Sequence, residues 1–281
     1  MGKDFLYHYT NLFAFASIIK NRSIRFSPLS KMDDINDGQS KDFETISQYV
    51  FASSWTYSNE ESIPFWAMYT NDMHGVRIGL PKNPFKKYTW KEDPYHNSNF
   101  DKENTFPISE KKAKGENYFI SPFYEEFFSV KVNYSDDEYK LNPCIKEKDQ
   151  VYLQNIGTYK NKAWEFQAEW RYKLVCFPEP YEKVGNANTC FLMEQGVLLP
   201  VTSIDLKIDD AYFEQMEILT GPKMTGEERH FLDFLIDEYG ASIKNPVHSS
   251  QLKIRSESKS IKRLSEKGLS NPETFILFSS C

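Results

Sequence analysis

Leu6-Tyr7-His8-Tyr9-Thr10 near the start of the chain and Gln167-Ala168-Glu169-Trp170-Arg171 far along it decide how this fold is read. The first belongs to a short aromatic strand, Phe5 to Tyr9, whose hydrogen-bonding side chains fall on both faces, which is rare in a strand buried for packing alone. A lone strand histidine is more often a satisfied core residue, and this company makes His8 a candidate site residue. In the second stretch, period-2 geometry puts Gln167 and Glu169 on one face, an amide beside a carboxylate, with Glu165 continuing that face if the strand starts early. The same spacing also lets Glu169 and Arg171 pair with each other and do nothing more.

The bulk properties set the frame. With 281 residues and 40% hydrophobic content, the chain can bury a core in one large domain or two small ones, and general disorder is not expected. An aromatic content of 16% favours a β-rich interior and offers stacking surfaces for flat ligands, although most such rings are core. The net charge of −6 argues against non-specific nucleic-acid binding and leaves room only for a local basic patch. Cys144, Cys176, Cys190 and Cys281 are widely spaced and read as reduced thiols. His8, His74, His96, His230 and His248 show no metal-ligating spacing, so no metal is expected. The opening residues lack the apolar core of a signal peptide, Leu6 stands where a myristoylation signal needs Ser or Thr, and no run is long enough to span a bilayer. A cytoplasmic location without a membrane partner is the expectation.

Around the two stretches the chain reads as mixed α and β. Asn11 caps a helix from Leu12 to about Lys20, Ile24–Ser27 is a strand, and Pro28–Gln39 is a polar loop of the kind that borders ligands. Tyr49–Trp55 and Gly75–Leu80 read as strands flanking a short helix that starts at Pro64 and places Trp66 and Tyr69 on one face. A polar insertion is expected at about 81–123, then a strand over Phe127–Tyr134, a helix over Ile145–Tyr159 interrupted near Gly157, and a central strand over Trp170–Phe177. Cys190–Met193 and Val197–Ile208 read as further β structure. Met216–Pro222 reads as a strand and turn before a helix from Thr225 to Tyr239, with Thr225 and Glu228 spaced as a capping box. The Lys/Ser-rich stretch Ser256–Lys267 reads as a solvated linker or helix face before the apolar run Phe275–Phe278.

These boxes, together with Asn36-Asp37, Phe65–Tyr69, Gly75–Gly79 and Ile218–Lys223, resemble a large bacterial family marked by an early YHYT box and a late EWR box, over about residues 5–255. The boxes are in turn similar to the histidine, aromatic and glutamate triad of diphtheria-toxin-like and PARP-like ADP-ribosyltransferases, many of which serve in toxin or phage-defence systems. The resemblance implies an α+β domain at 1–255 with a split, mostly antiparallel sheet and flanking helices, followed by an extension at 256–281. It implies NAD as the substrate, a protein or nucleic acid as acceptor, and an antitoxin or neighbouring defence protein as a further partner.

On that resemblance, His8 orients the ribose and carboxamide of NAD, Tyr69 or Trp66 stacks on nicotinamide, and Glu169 is the catalytic carboxylate with Gln167 beside it. Tyr9, Thr10 and Ser27 would sit beside the dinucleotide. Two positions depart from the pattern: Gly38-Gln39 follows Asn36-Asp37 where a proline and an acidic residue are common, and Gln167 replaces the second glutamate of arginine-specific transferases, which disfavours an arginine target. An NAD-dependent RNA 2′-phosphotransferase would need several Arg and Lys converging on phosphate, and only Arg22, Arg25, Arg77 and Arg171 stand near the boxes. An NAD hydrolase and a non-catalytic nucleotide- or partner-binding module remain the alternatives.

Overall fold

The computed structural model describes residues 4–92, 105–123, 125–147, 150–185 and 187–255. Phe5–Thr10 forms β1, and Asn11 then caps α1 (Leu12–Asn21) by accepting from the Ala14 amide. Arg22, in the left-handed region at φ 45°, turns the chain into β2 (Ser23–Pro28). After the loop come β3 (Val50–Thr56), α2 (Ile63–Tyr69) and β4 (Val76–Pro81). The chain continues through β5 (Phe119–Pro122), β6 (Ser129–Lys131), β7 (Asn133–Ser135), β8 (Tyr159–Asn161) and the nine-residue β9 (Glu169–Phe177). It closes with α3 (Ala187–Glu194), β10 (Ile204–Lys207), β11 (Glu217–Thr220), α4 (Gly226–Tyr239) and β12 (Val247–Ser249).

These elements make an α+β fold around a ten-stranded sheet whose main path is β10–β2–β3–β1–β4–β11–β12. The β11–β12 ladder is parallel, while those joining β1, β2, β3, β4, β9 and β10 are antiparallel. β9 pairs along one edge of β3 from Glu169↔Thr56 to Val175↔Val50, and its other edge takes β5 and β6. The opposite edge of β3 is shared: β2 pairs at Phe51 and Ala52, β1 pairs at Thr56, and Ser53–Trp55 lie where these two strands part.

Alternation along β9 sorts its side chains onto two faces. Tyr172, Leu174 and Cys176 enter the main core, where Tyr172 packs edge-on against Phe85 at 4.9 Å. The other face carries Glu169, Arg171 and Lys173, each at most 2% exposed, before Val175 joins a second apolar cluster. Three ionisable groups in a row on a buried face need partners from elsewhere in the chain.

Several sequence expectations give way to these partnerships. No α-helix forms among the described residues of 145–159: a short antiparallel pairing of 146–147 with 150–151, a 3₁₀ turn at Leu153–Asn155 and β8 take its place. The Asp42 carboxylate accepts from the Ile145 and Lys146 amides at 2.9 and 2.7 Å, and the Lys173 ammonium donates to the Gln154 and Ile156 carbonyls at 2.8 Å each, so side chains from distant segments hold this backbone in its irregular course. Cys190–Met193 is helical rather than extended, and within 197–208 the strand is confined to Ile204–Lys207. The expected strand over Phe127–Tyr134 is a helical turn ending at Phe128 followed by β6 and β7.

Within 81–123, Trp90, Phe106, Ile108 and Phe119 are buried in the main core and β5 joins the sheet. The basic stretch and the apolar run of 256–281 lie outside the described residues. No described helix is long and apolar enough to cross a membrane.

Gly75 lets β4 start against the end of β1. A Cβ there would collide with the Thr10 carbonyl oxygen and stand 2.8 Å from Thr70 Cβ. Gly75→Ala is therefore expected to cost on the order of 2 kcal/mol, read as a lower urea midpoint at unchanged slope.

Candidate functional site

A cavity of 480 Å³ opens where β1 and β2 part along β3, within the size range of small-molecule sites. His8, Tyr9 and Ser27 reach it from the two parting strands, Tyr69 from α2, and Gln167 and Glu169 from the entry to β9. The structure thus brings six of the eight expected site residues to one cavity. Thr10 and Trp66 are not among its lining residues. Thr10 is 6% exposed at the end of β1, and Trp66 is fully buried with its indole N–H donating to Glu61 at 3.1 Å. Tyr9 touches the cavity but chiefly packs, since its ring stacks on Phe65 at 4.9 Å and its hydroxyl accepts from the Ser62 amide.

His8 is fixed by the sheet's own gap. Its Nδ1 lies 2.9 Å from the Ser54 carbonyl oxygen, on the stretch of β3 between the two parting strands, and a carbonyl can only accept, so Nδ1 carries the proton. Burial lowers the imidazole pKa, outweighing the rise due to the Ser54 carbonyl. The ring is therefore neutral at pH 7, and Nε2 keeps a lone pair.

Gln167 and Glu169 do not share a strand face. Gln167 ends a 3₁₀ turn, Ala168 adopts the left-handed conformation at φ 42°, and β9 begins at Glu169. What aligns the two side chains is Lys160 on β8, whose ammonium donates to Gln167 Oε1 at 2.8 Å and to Glu169 Oε2 at 3.3 Å. With Oε1 bonded to Lys160, the amide points its nitrogen at the Tyr69 hydroxyl, 2.8 Å away.

Glu169 is also held from behind. Arg171 bonds both of its oxygens, at 2.6 and 3.1 Å, and grips Asp37 with its other edge, Nη1 donating at 2.8 Å and Nη2 donating to the second oxygen. Burial pushes the Glu169 carboxyl up, but Arg171 and Lys160 more than offset it and hold it at about 2, so it is ionised at neutral pH. Burial, with Asp33 and Glu169 nearby, pushes the Tyr69 hydroxyl above its ordinary range.

Lys160, Arg171 and Asp37 were not expected as site-building residues. Lys160 carries no local sequence signal, whereas the Asn36-Asp37 box marked Asp37 without naming its partner. Among the described residues no group of three or more His, Cys, Asp or Glu is arranged to hold a metal ion. Comparison with protein-family models, curated proteins and solved structures finds no match.

The Arg171 clasp generates two predictions. Arg171→Lys, which cannot span both carboxylates, is expected to cost about 3–5 kcal/mol in urea unfolding by leaving buried charge unpaired. Glu169 has a folded pKa below its ordinary 4.5, so its pairing stabilises the fold above that pH and the contribution is lost as pH falls toward 2. Acid titration of the wild type is therefore expected to show a stability loss on the order of 3 kcal/mol over this window that is absent from Glu169→Gln.

Proposed function

We propose that this chain is an NAD-dependent ADP-ribosyltransferase acting on an acceptor other than arginine, in the toxin or phage-defence setting that its sequence resemblance implies. One observation carries the reading: a neutral His8, Tyr69, Gln167 and an ionised Glu169 line one cavity at the parting of two strands. Cleavage of the nicotinamide–ribose bond builds positive charge on the ribose, and a fixed carboxylate stabilises it without reorganisation. In this reading Glu169 supplies that charge, with Arg171 and Lys160 holding it in place. His8 would accept a ribose hydroxyl at Nε2, and Tyr69 would stack on the leaving ring. Gln167 has a different part from that expected of it. Its carbonyl and one N–H are engaged by Lys160 and Tyr69, so it aligns the wall rather than receiving the acceptor. It also provides no second carboxylate to hold a guanidinium.

A second reading has its own support. Both Glu169 oxygens are already bonded to Arg171, and Lys160 takes a further position, as befits a structural ion pair beneath a nucleotide-binding module.

The test is incubation of the purified chain with labelled NAD and a bacterial lysate split into protein and nucleic-acid fractions. Label in either fraction with nicotinamide released supports the transferase, and released nicotinamide with no label in either indicates a hydrolase. NAD bound but never consumed selects the binding module, and label on arginine side chains overturns the acceptor assignment. Glu169→Gln is expected to slow nicotinamide release by about 10²-fold or more in the protein that remains folded. Tyr69→Ala is expected to weaken NAD binding about tenfold in a fluorescence titration.

A further inference from the structure

We propose that Asp33 is the general base of the reaction and that the acceptor presents it with a hydroxyl, an inference that rests on the transferase reading above. Two carboxylates line the cavity, Glu169 and Asp33, and their circumstances differ. Glu169 is 2% exposed and bonded to Arg171 and Lys160, so it can offer charge but is poorly placed to receive a proton. Asp33 is exposed on the loop after β2. Its neighbours fix the loop: the Asp34 side chain accepts from the Asn36 amide at 3.1 Å, the Asp34 carbonyl accepts from the Asp37 amide at 3.0 Å, and Asp37 is clasped by Arg171.

Asp33 lines the same cavity as Tyr69 and the groups that hold it. Lys160 donates to the Gln167 carbonyl and Gln167 donates to the Tyr69 oxygen, which leaves the Tyr69 proton for another acceptor, and the Asp33 carboxylate lies close enough to help push the Tyr69 hydroxyl above its ordinary range. An exposed carboxylate that lines the cavity can take a proton from an acceptor and release it to water. Lys31 lines the same cavity, and its positive charge disfavours a cationic acceptor, leaving a neutral hydroxyl as the better fit, whereas Arg25 is paired with Asp205 at 3.0 Å.

The ribose–nicotinamide C–N bond breaks and its electron pair leaves with neutral nicotinamide. An acceptor oxygen lone pair forms the new bond to the anomeric carbon, and the proton on that oxygen passes to Asp33 and then to solvent. No oxidant or reductant is needed.

The test uses the full chain with NAD and methanol as the probe acceptor, following nicotinamide and the methyl glycoside of ADP-ribose for the wild type, Asp33→Asn and Asp33→Glu. The asparagine variant is expected to lose about 10²-fold in kcat, to change KM for NAD by less than about threefold, and to lose the acid-side limb of the pH profile. The glutamate variant is expected to recover part of the rate. A wild type that forms product while Asp33→Asn keeps its rate and pH profile overturns the base assignment alone. The same holds if the asparagine variant raises KM at unchanged kcat, which would make Asp33 a binding group. A wild type that releases no nicotinamide overturns the transferase reading and this proposal with it.

Discussion

The guanidinium of Arg171 is the contact on which the rest of the structure depends. It is fully buried, and its five N–H donors are spread over the Glu169 carboxylate, the Asp37 carboxylate and the Gly157 carbonyl. One planar group thereby joins the start of β9, the loop after β2 and the turn before β8. The cost of burying such a cation is several kcal/mol unless every donor is met, so these segments are held to a single arrangement. Asp37 is 134 residues from Arg171, and the cavity wall cannot be built until both segments are in place.

The cavity follows from an unequal division of one strand edge. β3 gives one side to β9 along its length and splits the other between β1 and β2, which leaves the Ser54 carbonyl in the gap for His8 to bond. The gap in the ladder therefore does two things: it makes room for a ligand, and it sets the tautomer of the histidine facing it. Beneath it, the charged face of β9 keeps a carboxylate ionised, while the aromatic face anchors the strand in the main core.

Much of this was legible from local pattern, and the limits have physical causes. β1, α1, β2 and the α4 capping box declare themselves through alternation, caps and turn residues that act within a few positions. Period-3.6 spacing put Trp66 and Tyr69 on one helical face, but not which of them would be buried, and Trp66 belongs to the core while Tyr69 reaches the cavity. Ile145–Tyr159 reads as helical because its apolar residues recur suitably, whereas Asp42 and Lys173 hold its backbone in an irregular course from distant segments. Gln167 reads as a strand residue because nothing in the residue type of Ala168 announces a left-handed turn. Lys160 and Asp33 enter the cavity from segments without periodicity, so only the folded chain shows what they face.

The main path of the sheet ends on β10, four residues long, and on β12, three residues long. Lys207 closes the first and His248 sits in the middle of the second. Ends this short present few outward-facing amides and carbonyls to a strand from a second molecule, and a lysine at such an end further discourages pairing. A wide sheet can in this way carry a polar gap near its middle, because recruitment of a further strand is blunted at both ends of its main path while the gap between β1 and β2 opens into a cavity.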